Sequence, residues 1–257
     1  MLRNLKALHG HTVLANDGEI GKVYDFYFHD DTWLIRYLVV DTGHWLPGRK
    51  VLVTPSALGK PDWTKLTFPV SLTRNQVEKS PDIDTDMPVS RQQEMDLHNY
   101  YDWPVYWNEP GLGAPFPAIA PLEPDPKDSK MATKDKGDPH LRSVKEVTGY
   151  HIHASDGEMG HIADFIVDDV GWGIRYLVVA TYNWLPAKKV LISPQWLGEI
   201  HHWERDVHVA LTKDSILQCP EFHAGGLVNR EYEERLHDYY GRPGYWAESD
   251  PPDKVTR

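Results

Sequence analysis

The stretch that decides the fold occurs twice in this chain of 257 residues. Residues 2–59 read LRNLKALHGHTVLANDGEIGKVYDFYFHDDTWLIRYLVVDTGHWLPGRKVLVTPSALG, and residues 141–198 read LRSVKEVTGYHIHASDGEMGHIADFIVDDVGWGIRYLVVATYNWLPAKKVLISPQWLG. The two stretches align without a gap at a shift of 139 positions, and half of the aligned residues are identical. Self-similarity of this kind predicts an internal duplication of one domain, in which the shared residues serve the fold.

Each copy has the alternation and the turn chemistry of short β-strands. Thr12–Leu14 leads into Asn16-Asp17-Gly18, and Asp-Gly is a preferred pair in tight hairpin turns. β-Branched and aromatic residues fill Leu34–Val40 and Ile174–Val179, which is typical of a buried strand. Two further strands are predicted at Lys65–Thr67 and Val70–Leu72. Short strands separated by frequent turn signals indicate a small barrel or sandwich in each copy.

Helical signals appear only after the strands. A hydroxyl residue followed three positions later by an amide, the pattern of a capping box, occurs at Thr73 and at Ser90. The second pattern predicts a helix of about ten residues through Tyr101. Its counterpart is expected to start at Asn229 and to end before Pro243.

The predicted fold class is mainly β with some α, as two small β-barrels that are each followed by short helices. The first unit spans residues 1–107 and the second spans residues 141–247. Residues 108–140 between them hold 7 of the 20 prolines and have the composition of a linker. Residues 248–257 form a tail.

Several motifs of both copies resemble the PRC-barrel family. They are Asp17–Gly21, Asp25-Phe26, Trp33–Val40 and Val51–Pro55, and in the second copy Asp156–Gly160, Asp164-Phe165, Ile174–Val179 and Val190–Pro194. The family is named for the cytoplasmic domain of the H subunit of the purple-bacterial photosynthetic reaction centre, and it includes a domain of a ribosome maturation factor. The resemblance implies an all-β adaptor surface with no shared active-site motif. The tandem form is similar to a bacterial two-barrel subgroup.

Composition and charge argue against several classes of protein. The formal net charge is −11, and acidic residues outnumber basic ones in both copies, which argues against a nucleic-acid partner. The single Cys219 cannot form an internal disulfide and indicates a reducing compartment. No apolar run reaches the roughly 18 residues of a membrane span. We therefore expect a cytoplasmic protein without an integral membrane segment, and peripheral association with a membrane complex stays open.

Two aspartates and two arginines lie in the middle of predicted strands, where charge is unexpected. We predict that they form structural ion pairs between neighbouring strands, Asp25 with Arg36 and Asp164 with Arg175. The alternative is a general base with a raised pKa.

Three histidine pairs and two aspartate pairs are candidates for metal ligands. They are His9 and His11, His151 and His153, His201 and His202, Asp30 and Asp31, and Asp168 and Asp169. The first two histidine pairs do not occupy equivalent positions in the two copies, and the aspartates lie in predicted turns, where Asp bonds its own backbone. We therefore expect no catalytic, cofactor-binding or metal-binding residues and no cofactor.

Aromatic residues are in surplus in one loop and at the helix ends of both copies. Such residues either complete the core of their own barrel or pack against the other repeat or a second chain, and both readings stay open. The predicted interface residues are Trp45, Leu46, Pro47, Trp184, Leu185, Pro186, Tyr101, Trp103, Trp107, Tyr240 and Trp246.

The predicted function is that of a non-enzymatic adaptor or scaffold, which binds an unknown protein or a second copy of itself. An accessory role in the light reaction and electron transfer of a photosynthetic reaction centre follows from the family resemblance alone. An RNA- or ribosome-associated factor and an unrecognised hydrolase are further alternatives.

Overall fold

The protein is mainly β with a few short helices. The computed structural model describes residues 1–83, 89–107, 138, 140–182, 188–223 and 228–247. The strands are β1 (Leu2–Asn4), β2 (Thr12–Ala15), β3 (Gly18–His29), β4 (Leu34–Asp41), β5 (Lys50–Val53), β6 (Thr67–Pro69), β7 (Leu141–Ser143), β8 (His151–Ala154), β9 (Gly157–Asp168), β10 (Ile174–Thr181), β11 (Lys189–Ile192), β12 (Leu197–His201) and β13 (Asp206–Val209). The helices are α1 (Arg74–Glu78), α2 (Arg91–Tyr101), α3 (Val144–Val147), α4 (Lys213–Gln218) and α5 (Arg230–Tyr240), and 3-10 turns span Leu5–Leu8, Pro55–Ala57 and Pro194–Trp196.

Two sheets, of six and seven strands, are built in the same order from the two parts of the chain. The first sheet has the order β5-β4-β3-β2-β6, and the second has the order β11-β10-β9-β8-β13-β12. In both, the short strand β2 or β8 runs antiparallel to the long strand that follows it and parallel to a later strand. We call residues 1–107 the first half of the molecule and residues 138–247 the second half.

Each half gives its first strand to the sheet of the other half. Strand β1 pairs antiparallel with β9, which places Leu2 opposite Asp168, and β7 pairs antiparallel with β3, which places Leu141 opposite His29. Strand β2 covers only the beginning of β3, so β7 pairs with the end of β3 that β2 leaves open. The two sheets are therefore joined by backbone hydrogen bonds as well as by packing.

The apolar core crosses the boundary between the halves. The ring of Phe28 lies 5.9 Å from that of Phe165, and Trp172 of the second half stacks on both Phe26 and Phe68 of the first. All five side chains are buried. Because burial of apolar area is the main driving force of folding, this shared core stabilises the two halves as one unit.

Close approach of two strands explains a glycine of the turn motif in each half. A Cβ atom at Gly21 would lie 2.1 Å from the carbonyl oxygen of Asp41, and a Cβ at Gly160 would lie 2.1 Å from that of Ala180. Any side chain there would push β4 away from β3, or β10 away from β9.

Local sequence signals marked the starts of α1, α2 and α5 correctly, missed α3 and α4, and predicted one strand pair wrongly. Helices α1 and α2 begin after complete capping boxes at Thr73 and Ser90, and α5 begins after Asn229, whose side chain accepts from the backbone of the third helical residue. The strands predicted at Lys65–Thr67 and Val70–Leu72 are replaced by the single strand β6. Leu66 turns the chain before it with a φ of 53°, which a strand does not allow.

No helix in the described part of the chain is long and apolar enough to cross a membrane.

Candidate functional site

Asp25 and Asp164 each accept hydrogen bonds from the first helical turn of the opposite half. Asp25 accepts hydrogen bonds from the hydroxyl of Ser143 at 2.5 Å and from the backbone N–H of Lys145 at 3.2 Å. Asp164 accepts one from the backbone N–H of Lys6 at 3.0 Å, and another comes from the side chain of Asn4. Since the first N–H groups of a helical turn have no partner within it, each carboxylate caps a turn that follows an exchanged strand.

The predicted ion pairs, Asp25 with Arg36 and Asp164 with Arg175, are wrong. The pairing of β3 with β4 runs from Tyr37 to Ile35 and skips Arg36, and the pairing of β9 with β10 skips Arg175 in the same way. A residue in such a bulge turns its side chain away from the regular alternation.

Both arginines lie over a tyrosine ring instead. Each guanidinium carbon is 4.2 Å from the ring centroid, for Arg36 over Tyr106 and for Arg175 over Tyr245. Arg175 is also 3.5 Å from Asp168. The carboxylate of Asp25 is left in a buried site, and that burial raises its pKa against the opposing effect of its hydrogen bonds.

A buried polar network joins α2 to the first sheet. The hydroxyl of Tyr37 lies 2.9 Å from Oε1 of Glu94 and 2.8 Å from Nε2 of His98. The same carboxylate accepts from Tyr106 at 2.5 Å and forms an ion pair with Arg91 at 2.9 Å. Burial raises the pKa of Glu94 and lowers that of His98.

The second half repeats this network on α5. The hydroxyl of Tyr176 lies 3.0 Å from both Glu233 and His237, and Glu233 is 2.9 Å from Tyr245 and 3.3 Å from Arg230. Sequence reasoning missed both networks. The available signal was the recurrence, at the shift of 139 positions, of an arginine, a glutamate and a histidine on one face of each late helix.

One backbone carbonyl determines which ring nitrogen of His98 carries a proton. Nδ1 of His98 lies 2.9 Å from the carbonyl oxygen of Pro104, which can only accept, so Nδ1 carries a proton. In the neutral ring Nε2 then accepts, and Tyr37 has one proton for two neighbours. The hydroxyl of Tyr37 donates to Oε1 of Glu94 and also lies against Nε2 of His98, and burial raises the pKa of Glu94. The network fixes a helix on a sheet, and its carboxylate has no exposed surface.

The aromatic residues at the helix ends pack onto their own half. Tyr101 stacks on Trp103 at 4.2 Å, and Trp107 lies 5.1 Å from the His98 ring. In the second half, Tyr240 lies against Trp196, and Trp246 lies 4.9 Å from His237. Of the two readings left open by the sequence, these contacts favour packing within each half, and the exchanged strands and core rings join the halves.

The described apolar loop, residues 45–47, also contacts its own half. Trp45 is half-buried beneath the guanidinium of Arg74, at 4.6 Å from the ring centroid. Leu46 and Pro47 line a shallow depression with Arg49 and Asp82. The corresponding residues Trp184, Leu185 and Pro186 lie outside the described residues.

A cluster of histidines and aspartates lies where β3 ends, at the junction of the two halves. Asp30 is 3.0 Å from Nδ1 of His140, 2.9 Å from Nε of Arg142 and 3.2 Å from Nε2 of His202. Burial alone would raise the pKa of Asp30, but the hydrogen bonds from the two histidines and the charge of Arg142 hold it well below its ordinary value.

Potential metal ligands meet in the same cluster. His29, Asp30 and Asp31 each offer a ligand atom within 4.8 Å of the others, and no second group of three is found among the described residues. The histidine pairs singled out by sequence mostly meet other partners: His151 meets Glu158, His153 meets Asp206 and His201 meets Glu199. Neither His9 nor His11 joins the cluster, but His202 does.

The architecture around this junction consists of two β-sheets, and each sheet contains the first strand of the other half. A PRC-barrel domain is found at residues 4–58, where the model of that family matches the chain. No curated protein matches the sequence of this chain.

Proposed function

We propose that the protein is a non-enzymatic adaptor that binds another protein through the turn between β12 and β13. The observation that carries this proposal is the side chain of Trp203 at the tip of that turn, which is 72% exposed. Tryptophan is enriched among the residues that dominate binding energy in protein interfaces, because its large apolar ring is desolvated on binding.

The position of Trp203 supports a role beyond the fold. At the shift of 139 positions its counterpart is Thr64, so the two halves do not share the residue. The corresponding turn of the first half carries an exposed apolar side chain at a different position, Leu66, which is 56% exposed. Both turns contain a residue with positive φ, Leu66 or Arg205, which is consistent with one turn geometry and two different surfaces.

We further propose that the chain is a tandem of two PRC-like barrels that arose by duplication. The support is the matching order of strands in the two sheets, the matching polar networks of Glu94 and Glu233, and the reciprocal exchange of first strands. On this proposal the shared residues maintain the architecture, and the partner is bound by residues that one half alone carries.

Substitution of Trp203 tests the adaptor proposal. The full-length Trp203→Ala variant should keep the thermal unfolding of the unsubstituted protein but capture its partner protein at least about tenfold less well in a pull-down with quantitative mass spectrometry. Val170→Ala, at a 75% exposed position of a different turn, is the matched control and should capture the partner normally. Equal capture by the Trp203→Ala variant would exclude this surface, and steep loss of capture with added salt would point to a nucleic acid instead.

A further inference from the structure

We propose that His29, Asp30 and Asp31 of the first half, together with His140 of the second, form a binding site for a divalent transition metal of the zinc class. His140 precedes β7, and its Nδ1 atom lies 3.0 Å from Asp30 and 3.4 Å from Asp31. The set offers two imidazole nitrogens and two carboxylate oxygens, which are ligands that Zn²⁺ accepts in a four-coordinate site.

The spacing of these atoms fits one ion. Two ligands at about 2.1 Å from a tetrahedral Zn²⁺ lie roughly 3.4 Å apart. The separations of the His140 nitrogen from the two carboxylates are near that value, and His29 brings a ring nitrogen within 4.8 Å of both carboxylates. The rings of His29 and His140 stack at 5.3 Å with nearly parallel planes.

The contacts of the four residues with their other neighbours leave several of the proposed ligand atoms available to an ion. Arg142 and His202 both approach the Oδ2 atom of Asp30, while His140 faces Oδ1. The side chain of Asp31 is 63% exposed, so it can turn toward an ion. Nδ1 of His29 is buried and has no hydrogen-bond partner in the described part of the chain. The positive charge of Arg142 opposes a cation, so the second carboxylate, Asp31, is needed for binding.

The cluster is absent from the equivalent place in the second half. The residues that correspond to His29, Asp30 and Asp31 are Asp168, Asp169 and Val170, and Met1 corresponds to His140. The amino group of Met1 contacts Asp169 there. The equivalent junction of the second half forms without these ligands. The fold therefore does not require His29, His140 and Asp31, which supports a role for them in binding.

Such an ion would link the two halves directly. His29 is the last residue of β3, Asp30 and Asp31 follow it, and His140 precedes the exchanged strand β7, which pairs with that end of β3. Bound metal would therefore stabilise the exchange of strands, because binding to the folded state raises its free energy of unfolding. The turn with Trp203 begins at His202, which touches the same Asp30, so the ion would also stiffen the proposed docking surface.

Titration of the full-length protein with Zn²⁺ tests the site. After removal of metals with a chelator, calorimetry should show one equivalent bound, and Co²⁺ should give the visible absorption of a four-coordinate ion. Asp31→Asn and His140→Gln should each weaken binding at least tenfold, and Zn²⁺ should raise the Tm of the unsubstituted protein but not of either variant. Both substituted side chains are largely exposed, at 63% and 47%, so the variants are expected to fold.

The control variant is His201→Ala, which removes a neighbouring histidine that is paired with Glu199 outside the cluster. It should bind Zn²⁺ as the unsubstituted protein does. Failure of the unsubstituted protein to bind Zn²⁺ at 1:1 stoichiometry would overturn the proposal. Undiminished binding by the Asp31→Asn, His140→Gln double variant would also overturn it, because other histidines would then hold the ion. Neither outcome would exclude the capture of a partner by Trp203, because that capture is tested separately by Trp203→Ala.

Discussion

At the scale of single residues, Asp25 and Asp164 show how a charge in a strand stabilises a contact between distant parts of the chain. Repetition in the sequence singled out both residues, but it assigned them the wrong partners. The reason is physical: the bulges at Arg36 and Arg175 change which side chains face each other, and nothing in the local sequence marks a bulge at an arginine.

Removal of the Asp25 carboxylate should destabilise the protein. Asp25→Ala leaves the hydroxyl of Ser143 and the N–H groups of Phe26 and Lys145 without their acceptor. A loss of about 1–3 kcal/mol in the free energy of unfolding is expected, measured by urea denaturation, and Asp25→Asn should lose less. Asp96→Ala, on the exposed face of α2, is the control. A loss no larger than that of the control would contradict the capping role.

At the scale of elements, signals that act within a few residues predicted the structure well. The caps at Ser90 and Asn229 were read from the sequence because a cap is formed by side chains next to the helix. The exchange of β1 and β7 was not predicted. A three-residue strand has no measurable alternation, and its partner lies in the other half of the chain.

The attachment of α2 to the sheet should depend on pH through Glu94. Because burial raises the folded-state pKa of Glu94 above its ordinary 4.5, the folded protein holds this proton more tightly than the unfolded chain does. The resulting stabilisation is fully present below pH 4.5 and is lost as the pH rises through the raised pKa. Glu94→Gln, which imitates the protonated acid, lacks this change.

The measurement is the difference in Tm between the unsubstituted protein and Glu94→Gln across this range. The difference should move in favour of the variant as the pH rises from about 4 and should become constant above the raised pKa. Glu234→Gln, at an exposed position of α5, is the control and should give no such trend. A difference between Glu94→Gln and the unsubstituted protein that stays constant with pH would contradict the assignment.

At the scale of the whole molecule, the sequence predicted two related units but not how they join. The cluster of His29, His140 and His202 is an example of a site that sequence reasoning could not predict. Its members come from three distant segments, and no motif or spacing connects them before the sheets have exchanged their first strands. The same exchange makes the boundary between the halves part of the core instead of a surface.

A cut in the connection between the halves tests this view. A protease site placed between residues 120 and 130 should yield two fragments that elute together in size-exclusion chromatography, because β1 and β7 each stay paired with the other half. Urea at a concentration that unfolds the intact chain should separate them, and the uncut protein is the control. Fragments that elute apart without denaturant would show that the exchanged strands do not hold the halves together.

The exchange of first strands also has a consequence for synthesis on the ribosome. The backbone N–H of Lys6 donates to Asp164, which follows it by 158 positions, so the segment around Lys6 must wait for its partner during synthesis. At about 5–20 residues per second this delay is on the order of ten seconds. During that time the end of β3 remains an uncovered strand edge, which is prone to wrong association with other chains. We therefore expect the newly made first half to need protection by chaperones until the strands of the second half have been synthesised.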